Sequence, residues 1–146
     1  MYAEDTSIDD KGRLKFPIAF QRFWGATEGS SYYCGTFDLK TAIVYNPADL
    51  YEFRQQLEQR LGPVKAAALI FNLEKFGGQA RLDSEGRLSL PGGLKELLGL
   101  NKKQKVYLRV RQKRVEIVRE ADYNLEYERH KLTLADSLKA LEEAGL

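Results

Sequence analysis

Residues 8–17 read IDDKGRLKFP, and residues 82–91, which lie 74 positions further along the chain, read LDSEGRLSLP. Five of the ten positions are identical: the first Asp and the Gly, Arg, Leu and Pro. The similarity continues downstream, because Ile43-Val44 matches Ile117-Val118 at the same offset. Self-similarity at a fixed spacing indicates two copies of one structural unit.

Each copy is typical of a tight turn between two short strands. The Asp suits the first position of a type I turn because its side chain accepts backbone N–H bonds, and the Gly three residues later suits a positive φ. After the Gly, Arg13 and Lys15 share a polar face, whereas Leu14 and Phe16 share an apolar one. The closing Pro suits the start of a helix. We therefore expect a hairpin followed by a short helix in both copies.

The rest of the chain is predicted to alternate between helices and strand pairs. All four prolines stand at predicted helix starts: Pro17, Pro47, Pro63 and Pro91. Asn46 is a typical N-cap, the helix after Pro17 is expected to reach Trp24, and Thr133 with Asp136 resembles a capping box. The further predicted strands are 32–37, 41–45, 106–110 and 114–118.

Neither half offers enough structure to bury its apolar faces alone. We therefore expect an α+β fold in which the two repeats close into one pseudo-two-fold β-barrel with flanking helices. The predicted organisation is a first module at 5–50, a helical connection at 51–77, a second module at 78–123 and a helical tail at 124–146.

Composition excludes several classes of protein. The 146 residues carry 43% apolar and 30% charged side chains, which excludes a collagen-like or low-complexity chain. The longest uncharged stretch, 29–37, has nine residues, and the stretch 66–73 has eight, whereas a membrane span needs about 20. The single cysteine rules out an internal disulfide, so a reducing, cytoplasmic location without membrane association is expected.

The chain has few residues that could support catalysis. Cys34 lies in a strand-like run and is interpreted as an inert, partly buried thiol, and His130 lies in a charged stretch typical of a solvated face. No nucleotide motif or metal-ligand spacing is present in the sequence. We expect no enzymatic activity, no catalytic residue, no metal, no cofactor and no small-molecule substrate.

The paired signature Asp-x-Lys/Glu-Gly-Arg-x-x-x-Pro, at this separation and in a chain of this length, resembles the MraZ family. Residues 114–117 look like part of that family's second module, and residues 134–138 are similar to its last helix. The resemblance implies two tandem SpoVT–AbrB-type modules, transcriptional regulation of the bacterial division and cell-wall gene cluster, and closed rings. The usual N-terminal Gly is missing near Glu4, and Val118 replaces an aromatic, but neither departure touches the repeated motif.

The resemblance also implies DNA-binding residues, because the family binds DNA through an Asp-x-x-x-Arg motif. That motif maps onto Asp9 with Arg13 and onto Asp83 with Arg87, and the charges of Lys11 and Lys15 beside Arg13 make them further candidates. An arginine can make two hydrogen bonds to a guanine edge, and lysines can neutralise phosphates. Residues 9–15 carry a net charge of +1 and residues 83–89 a net charge of −1, so we expect the first copy to be the principal contact. The alternative is that each Asp–Arg pair only locks its turn.

A second basic feature lies near the C-terminus. Residues 102–119 contain eight basic side chains and one acid, whereas residues 120–146 contain seven acids and three Lys or Arg. This asymmetry favours a basic surface despite a net charge of only +2. The alternative is a solvated hairpin face whose charges pair with the acidic tail.

Three functions compete at this stage. The first is a DNA-binding transcriptional repressor, associated with the nucleoid, that acts as a ring homo-oligomer on direct repeats in double-stranded DNA. The second is an AbrB-like module in an antitoxin or in another protein-interaction role, although the predicted tail helix argues against an antitoxin. The third is an enzyme that uses the barrel interior, and it lacks a credible nucleophile or metal site.

Overall fold

The computed structural model of the protein describes residues 3–23 and 31–146. The strands in these residues are β1 (Glu4–Ser7), β2 (Arg13–Lys15), β3 (Ser31–Gly35), β4 (Ala42–Tyr45), β5 (Gly78–Arg81), β6 (Arg87–Ser89), β7 (Lys105–Arg111) and β8 (Arg114–Arg119). The helices are α1 (Ile18–Phe23), α2 (Pro47–Leu61), α3 (Pro63–Phe76), α4 (Gly92–Leu98), α5 (Glu120–Lys131) and α6 (Leu134–Glu143). The predicted α+β class is confirmed.

The strands form two antiparallel sheets that interleave the two halves of the chain. The larger sheet has the order β1-β7-β8-β4-β3-β5, and β2 pairs with β6 in the smaller one. Exchanging β1 with β5, β3 with β7 and β4 with β8 reverses the larger order onto itself. β1, the first strand of the first half, therefore pairs with β7 of the second half. β5, the first strand of the second half, pairs with β3 of the first half. Closure of the two sheets into a barrel stays a prediction, as do the module boundaries.

The two arms of each predicted hairpin pair with each other only briefly, and the main pairing of β2 and β6 is between the copies. Within the described residues, one isolated bridge links the two arms of each turn, and in the first copy it joins Ile8 to Leu14. β2 pairs instead with β6, and Leu14 lies opposite Leu88, its own counterpart in the repeat. Pairing between the copies supplies hydrogen-bond partners for both three-residue strands and directs both leucines into a shared interior.

One hydrophobic core draws on both copies of the repeat. Ile8, Leu14 and Phe16 of the first copy lie in the same buried cluster as Leu82 and Leu88 of the second. The predicted alternation of polar and apolar faces is confirmed, because Leu14 and Phe16 are both buried. Since the apolar residues of both halves meet in this cluster, each half depends on the other for its core.

The predicted helix starts are confirmed, with one error in capping. α2 and α3 begin at their prolines, and α1 and α4 begin one residue after theirs. Asn46 Oδ1 accepts the Ala48 N–H at 2.9 Å, as expected for an N-cap. The capping box at Thr133 is wrong, because its Oγ1 donates to the His130 carbonyl of the preceding turn at 3.2 Å. The predicted end of α1 at Trp24 lies outside the described residues.

The longer helices differ in how far they join the core. α2 and α3 pack on β3 and β4 through a second cluster that contains Tyr45, Leu50 and Leu73. α5 stacks Tyr123 on Tyr107 of β7 with ring centroids 3.9 Å apart, but neither α5 nor α6 has a buried residue. No described helix combines the length and the apolar character needed to cross a bilayer.

Candidate nucleic-acid interface

The first repeated turn is built around the carboxylate of Asp9. Asp9 Oδ1 accepts the backbone N–H groups of Lys11 at 2.9 Å and Arg13 at 2.8 Å, and Oδ2 accepts Arg13 Nε at 2.9 Å. Gly12 closes the turn with φ +75°, a conformation that other residues rarely adopt. The motif therefore holds the arginine through Nε and leaves its terminal nitrogens for other acceptors.

The second turn reproduces this geometry 74 residues later. Asp83 Oδ1 accepts the backbone N–H groups of Glu85 and Arg87, both at 2.9 Å, and Oδ2 accepts Arg87 Nε at 2.8 Å. Gly86 has φ +74°. The repeat seen in the sequence is thus a repeat of side-chain chemistry as well as of strand pattern, and both Asp–Arg pairs lock their turns.

The carboxylates of both turns have lowered pKa values. The pKa of Asp83 falls from 3.8 to about 2, chiefly because the Arg87 backbone N–H donates to it. The pKa of Asp9 is lowered by the corresponding bond from the backbone of Arg13. Asp83 in turn raises the pKa of Arg87 by accepting its side-chain hydrogen bond. Both turns are therefore held by charge-assisted hydrogen bonds at neutral pH.

The two turns lie side by side on one surface. Phe16 N–H donates to the Gly86 carbonyl at 2.8 Å, and Lys15 Nζ donates to the Glu85 carbonyl. Arg13 Nη1 lies 3.9 Å from Asp83 Oδ2. The fold thus brings the six candidate residues predicted from the sequence into one neighbourhood.

The charges around the two arginines are unequal. Arg87 has Asp83 at 2.8 Å and Glu85 at 3.2 Å, whereas the second carboxylate near Arg13, that of Asp83, is 3.9 Å from its Nη1. The residue that corresponds to Glu85 in the first turn is Lys11, which is exposed and has no ion-pair partner among the described residues. The first turn therefore carries the more available positive charge, as the sequence predicts.

The helix that follows each copy crosses to the turn of the other copy, which the sequence analysis missed. Lys95 of α4 covers Gly12, and a Cβ on Gly12 would lie 3.3 Å from Lys95 Cδ and Cε. Gln21 of α1 covers Gly86, and a Cβ there would lie 3.2 Å from Gln21 Cδ. Positions 21 and 95 are again 74 apart, so the repeat offset is the signal that could have identified them.

Most of the C-terminal basic segment is paired within the protein. Six of its eight basic residues have acidic partners in the described structure: Lys105, Arg109, Arg111, Lys113, Arg114 and Arg119. Four of these six pair with acids of α5, namely Glu120, Asp122 and Glu126. These contacts support the alternative in which the segment pairs with the acidic tail.

The centre of this network is a buried carboxylate that the sequence analysis did not single out. Glu116 is 7% exposed, and it contacts Arg109 Nε at 2.8 Å, Arg111 Nε at 3.2 Å and Arg114 Nη2 at 3.5 Å. Burial opposes the charge of Arg109, but hydrogen bonds to Glu126 and Glu116 outweigh it and raise the pKa of Arg109. An isolated acid within the apolar run of β8 was the available signal.

The two residues considered for catalysis occupy different environments. Cys34 is fully buried rather than partly buried, and burial raises the pKa of its thiol to about 12. The thiol therefore stays protonated, which makes it a poor nucleophile. His130 is exposed, with Nε2 3.7 Å from Glu126 Oε1. The described residues contain no group of three or more His, Cys, Asp or Glu side chains suited to a metal ion.

The fold and the site define a class of two-repeat α+β proteins in which paired Asp-x-x-Gly-Arg turns form one surface. No protein-family model matches the chain. Individual curated proteins do match it, and three of them share the name Transcriptional regulator MraZ.

The protein from Symbiobacterium thermophilum is 32% identical over 98 residues, which cover 66% of this chain and 67% of that protein. Those from Acidobacterium capsulatum and Koribacter versatilis are 32% and 34% identical over 93 and 95 residues, or 62% of this chain in each case. The matched segment spans 63% of the length of the latter two relatives. This chain belongs to the MraZ family.

Proposed function

We propose that this protein is a sequence-specific, DNA-binding transcriptional regulator that represses a bacterial division and cell-wall gene cluster. The names of its relatives support a role in transcription. The observation that carries the DNA-binding part of the proposal is the hydrogen bonding of the Arg13 side chain. Its Nε is held by Asp9 at 2.9 Å, while its terminal nitrogens make no hydrogen bond to a described residue.

The proposed contact follows from this geometry. A guanidinium offers two parallel N–H donors to the O6 and N7 atoms of a guanine in the major groove. Asp9 fixes the orientation of the Arg13 guanidinium before DNA arrives, so less side-chain freedom is lost on binding. Lys11 and Lys15 stand on either side of Arg13 in the chain and supply positive charge for phosphates.

The proposal includes self-association, because one pair of turns offers too little surface for tight binding. Exposed apolar side chains support it: on α3, Val64 is 84% exposed and Phe71 is 62% exposed. A head-to-tail contact between such faces generates a closed ring when its rotation closes. A ring presents many copies of the turn, so that avidity raises the affinity.

In this proposal the two sheets act as one pseudo-two-fold, barrel-like frame that keeps the turns side by side. The protein is then associated with the nucleoid through its DNA contacts. No catalytic role is assigned to any residue.

A protein-interaction role is the second candidate, and the observation that favours it is α6. Its face formed by Leu134, Leu138 and Leu141 is about half exposed, with values of 47–54%. If α6 binds another protein and the turns only stabilise the fold, the protein will bind no DNA specifically. The experiment below separates the two candidates.

The direct test is a gel shift with double-stranded DNA from upstream of the protein's own gene. We expect a retarded complex that survives an excess of unrelated DNA and is lost with Arg13→Ala. Lys139→Gln removes an exposed charge on α6 and is the control variant. A wild-type protein that folds but binds this DNA no better than unrelated DNA contradicts the proposal.

A further inference from the structure

The two crossed helices place different residues over the two turns. Lys95 lies over Gly12 of the first turn, and Gln21 lies over Gly86 of the second. Because positions 21 and 95 correspond in the repeat, this is one structural position occupied by a cation on one side and by a neutral amide on the other. Gln21 Nε2 donates to the Phe16 carbonyl at 2.7 Å, whereas Lys95 makes no hydrogen bond or ion pair with a described residue.

The loop after α4 adds two more lysines beside the first turn. Lys103 N–H donates to the Ile8 carbonyl at 2.6 Å, and Ile8 N–H donates to the Gln104 carbonyl at 3.1 Å. These two bonds hold the loop against the residue that immediately precedes Asp9. Lys102 and Lys103 are both exposed, so their ammonium groups are available next to the turn.

Lys95 and Lys102 border an open cleft of about 500 Å³ between the first turn and the loop after α4. Lys11, Lys95 and Lys102 line it, together with the acids Asp10 and Glu96. Lys102 and Lys103 are also the two members of the basic segment that have no acidic partner in the described structure. An open groove in which three lysines face two acids suits an extended polyanion better than a small ligand, which needs an enclosed pocket.

We propose that Lys95, Lys102 and Lys103 form a phosphate-binding flank of the first turn. The DNA contact of the first repeat is then completed by a helix and a loop of the second repeat. Arg13 reads a base edge, while the three ammonium groups neutralise backbone phosphates beside it. At the second turn Gln21 takes the place of Lys95, and the cation that contacts this turn is Lys15 of the first copy. This inference rests on the proposed DNA-binding function.

The salt dependence of DNA binding tests the flank. The plot of log K against log salt has a negative slope, and each lost phosphate contact makes that slope shallower by about 0.9. For each engaged subunit we expect this reduction for Lys95→Gln, with a roughly 5- to 10-fold weaker affinity at 0.1 M salt. We expect about twice that change in slope for Lys102→Gln combined with Lys103→Gln. Lys95→Arg should retain the wild-type slope because it keeps the charge.

Lys139→Gln is the matched control, since it removes the same charge from an exposed position on α6, the helix that packs on α5. If Lys95→Gln and Lys139→Gln have the same salt slope, the proposed phosphate-binding flank is wrong. The proposal is also wrong if Lys95→Gln weakens the affinity without changing the slope, because that pattern indicates a structural effect. If Arg13→Ala still abolishes specific binding in either case, the proposed function stands. If the folded wild-type protein binds no DNA specifically, both proposals fail.

Discussion

Arg87 Nη1 lies 3.2 Å from Glu85 Oε2, while Arg87 Nε donates to Asp83 at 2.8 Å. The guanidinium of the second turn is therefore paired closely on two sides, whereas the second carboxylate near Arg13 lies 3.9 Å away. At the place of Glu85, the first turn has Lys11, which adds positive charge beside Arg13. Two turns with the same hydrogen bonds thus differ in how strongly they attract a phosphate.

We expect Arg13→Ala to nearly abolish specific DNA binding and Arg87→Ala to weaken it less. The loss of a bidentate arginine contact costs about 1–3 kcal/mol of binding free energy per engaged subunit, and several subunits multiply the loss. The measurement is a DNA titration at matched salt, with circular dichroism and sedimentation to verify fold and assembly. Equal damage from both substitutions would contradict the asymmetry. Normal binding by both would mean that the Asp–Arg pairs only lock the turns.

We expect the specific DNA sites to be short direct repeats spaced by about one helical turn, roughly 10 bp. A ring places identical turns next to one another in the same orientation, whereas a two-fold dimer favours palindromes. DNase footprinting on the DNA upstream of the protein's own gene measures the spacing. A single palindromic site would refute this expectation.

We expect self-association to depend on the exposed face of α3. Wild-type protein at micromolar concentration should sediment as a species much larger than the 16.7 kDa chain. Val64→Glu combined with Phe71→Glu places charges on side chains that are 84% and 62% exposed, and it should shift the protein towards monomer. Substitution of exposed Glu58 by Gln on α2 is a control for surface charge. A wild-type protein that sediments only as a monomer disproves the ring.

We expect the carboxyl group of Asp83 to titrate near pH 2 in the folded protein, well below its ordinary value of 3.8. Because the folded pKa is the lower one, this carboxylate stabilises the fold above pH 3.8, and the stabilisation is lost as the pH falls towards about 2. Carbon-13 NMR of the Asp carboxyl groups measures the midpoint. Asp83→Asn should remove this part of the acid sensitivity. A midpoint near 3.8 would show that the turn does not favour the charged form.

We expect Glu116→Ala to lower the free energy of unfolding by about 3 kcal/mol, because it leaves partly buried arginines without their shared carboxylate. Urea denaturation followed by circular dichroism gives the value. Glu128→Ala, which removes the exposed partner of Lys131, should change stability by less than about 1 kcal/mol. Similar losses of unfolding free energy from the two substitutions would show that the Glu116 network stabilises the fold no more than an exposed ion pair does.

Several features of the candidate site could be predicted from local sequence alone. The bonds from Asp9 to Lys11 and Arg13 span two and four residues, so the Asp-x-x-Gly-Arg pattern is enough to specify the turn. The same holds for the N-cap at Asn46, which bonds to the second residue after it. The capping box at Thr133 was a local prediction that failed, because the hydroxyl found an equally near acceptor in the preceding turn.

The sequence by itself determined the repeat, the two locked turns, the alternation of buried and exposed residues and the helix starts at prolines. The repeat is visible by direct comparison of the two segments, and the other features depend on neighbours within about one turn of chain. Only the tertiary structure decided that Leu14 pairs with Leu88, that Lys95 covers Gly12 and that Glu126 of α5 pairs with Arg109 and Arg111. Such pairings join residues far apart in the chain. They are selected by burial of a common core and by charges that meet once that core has formed.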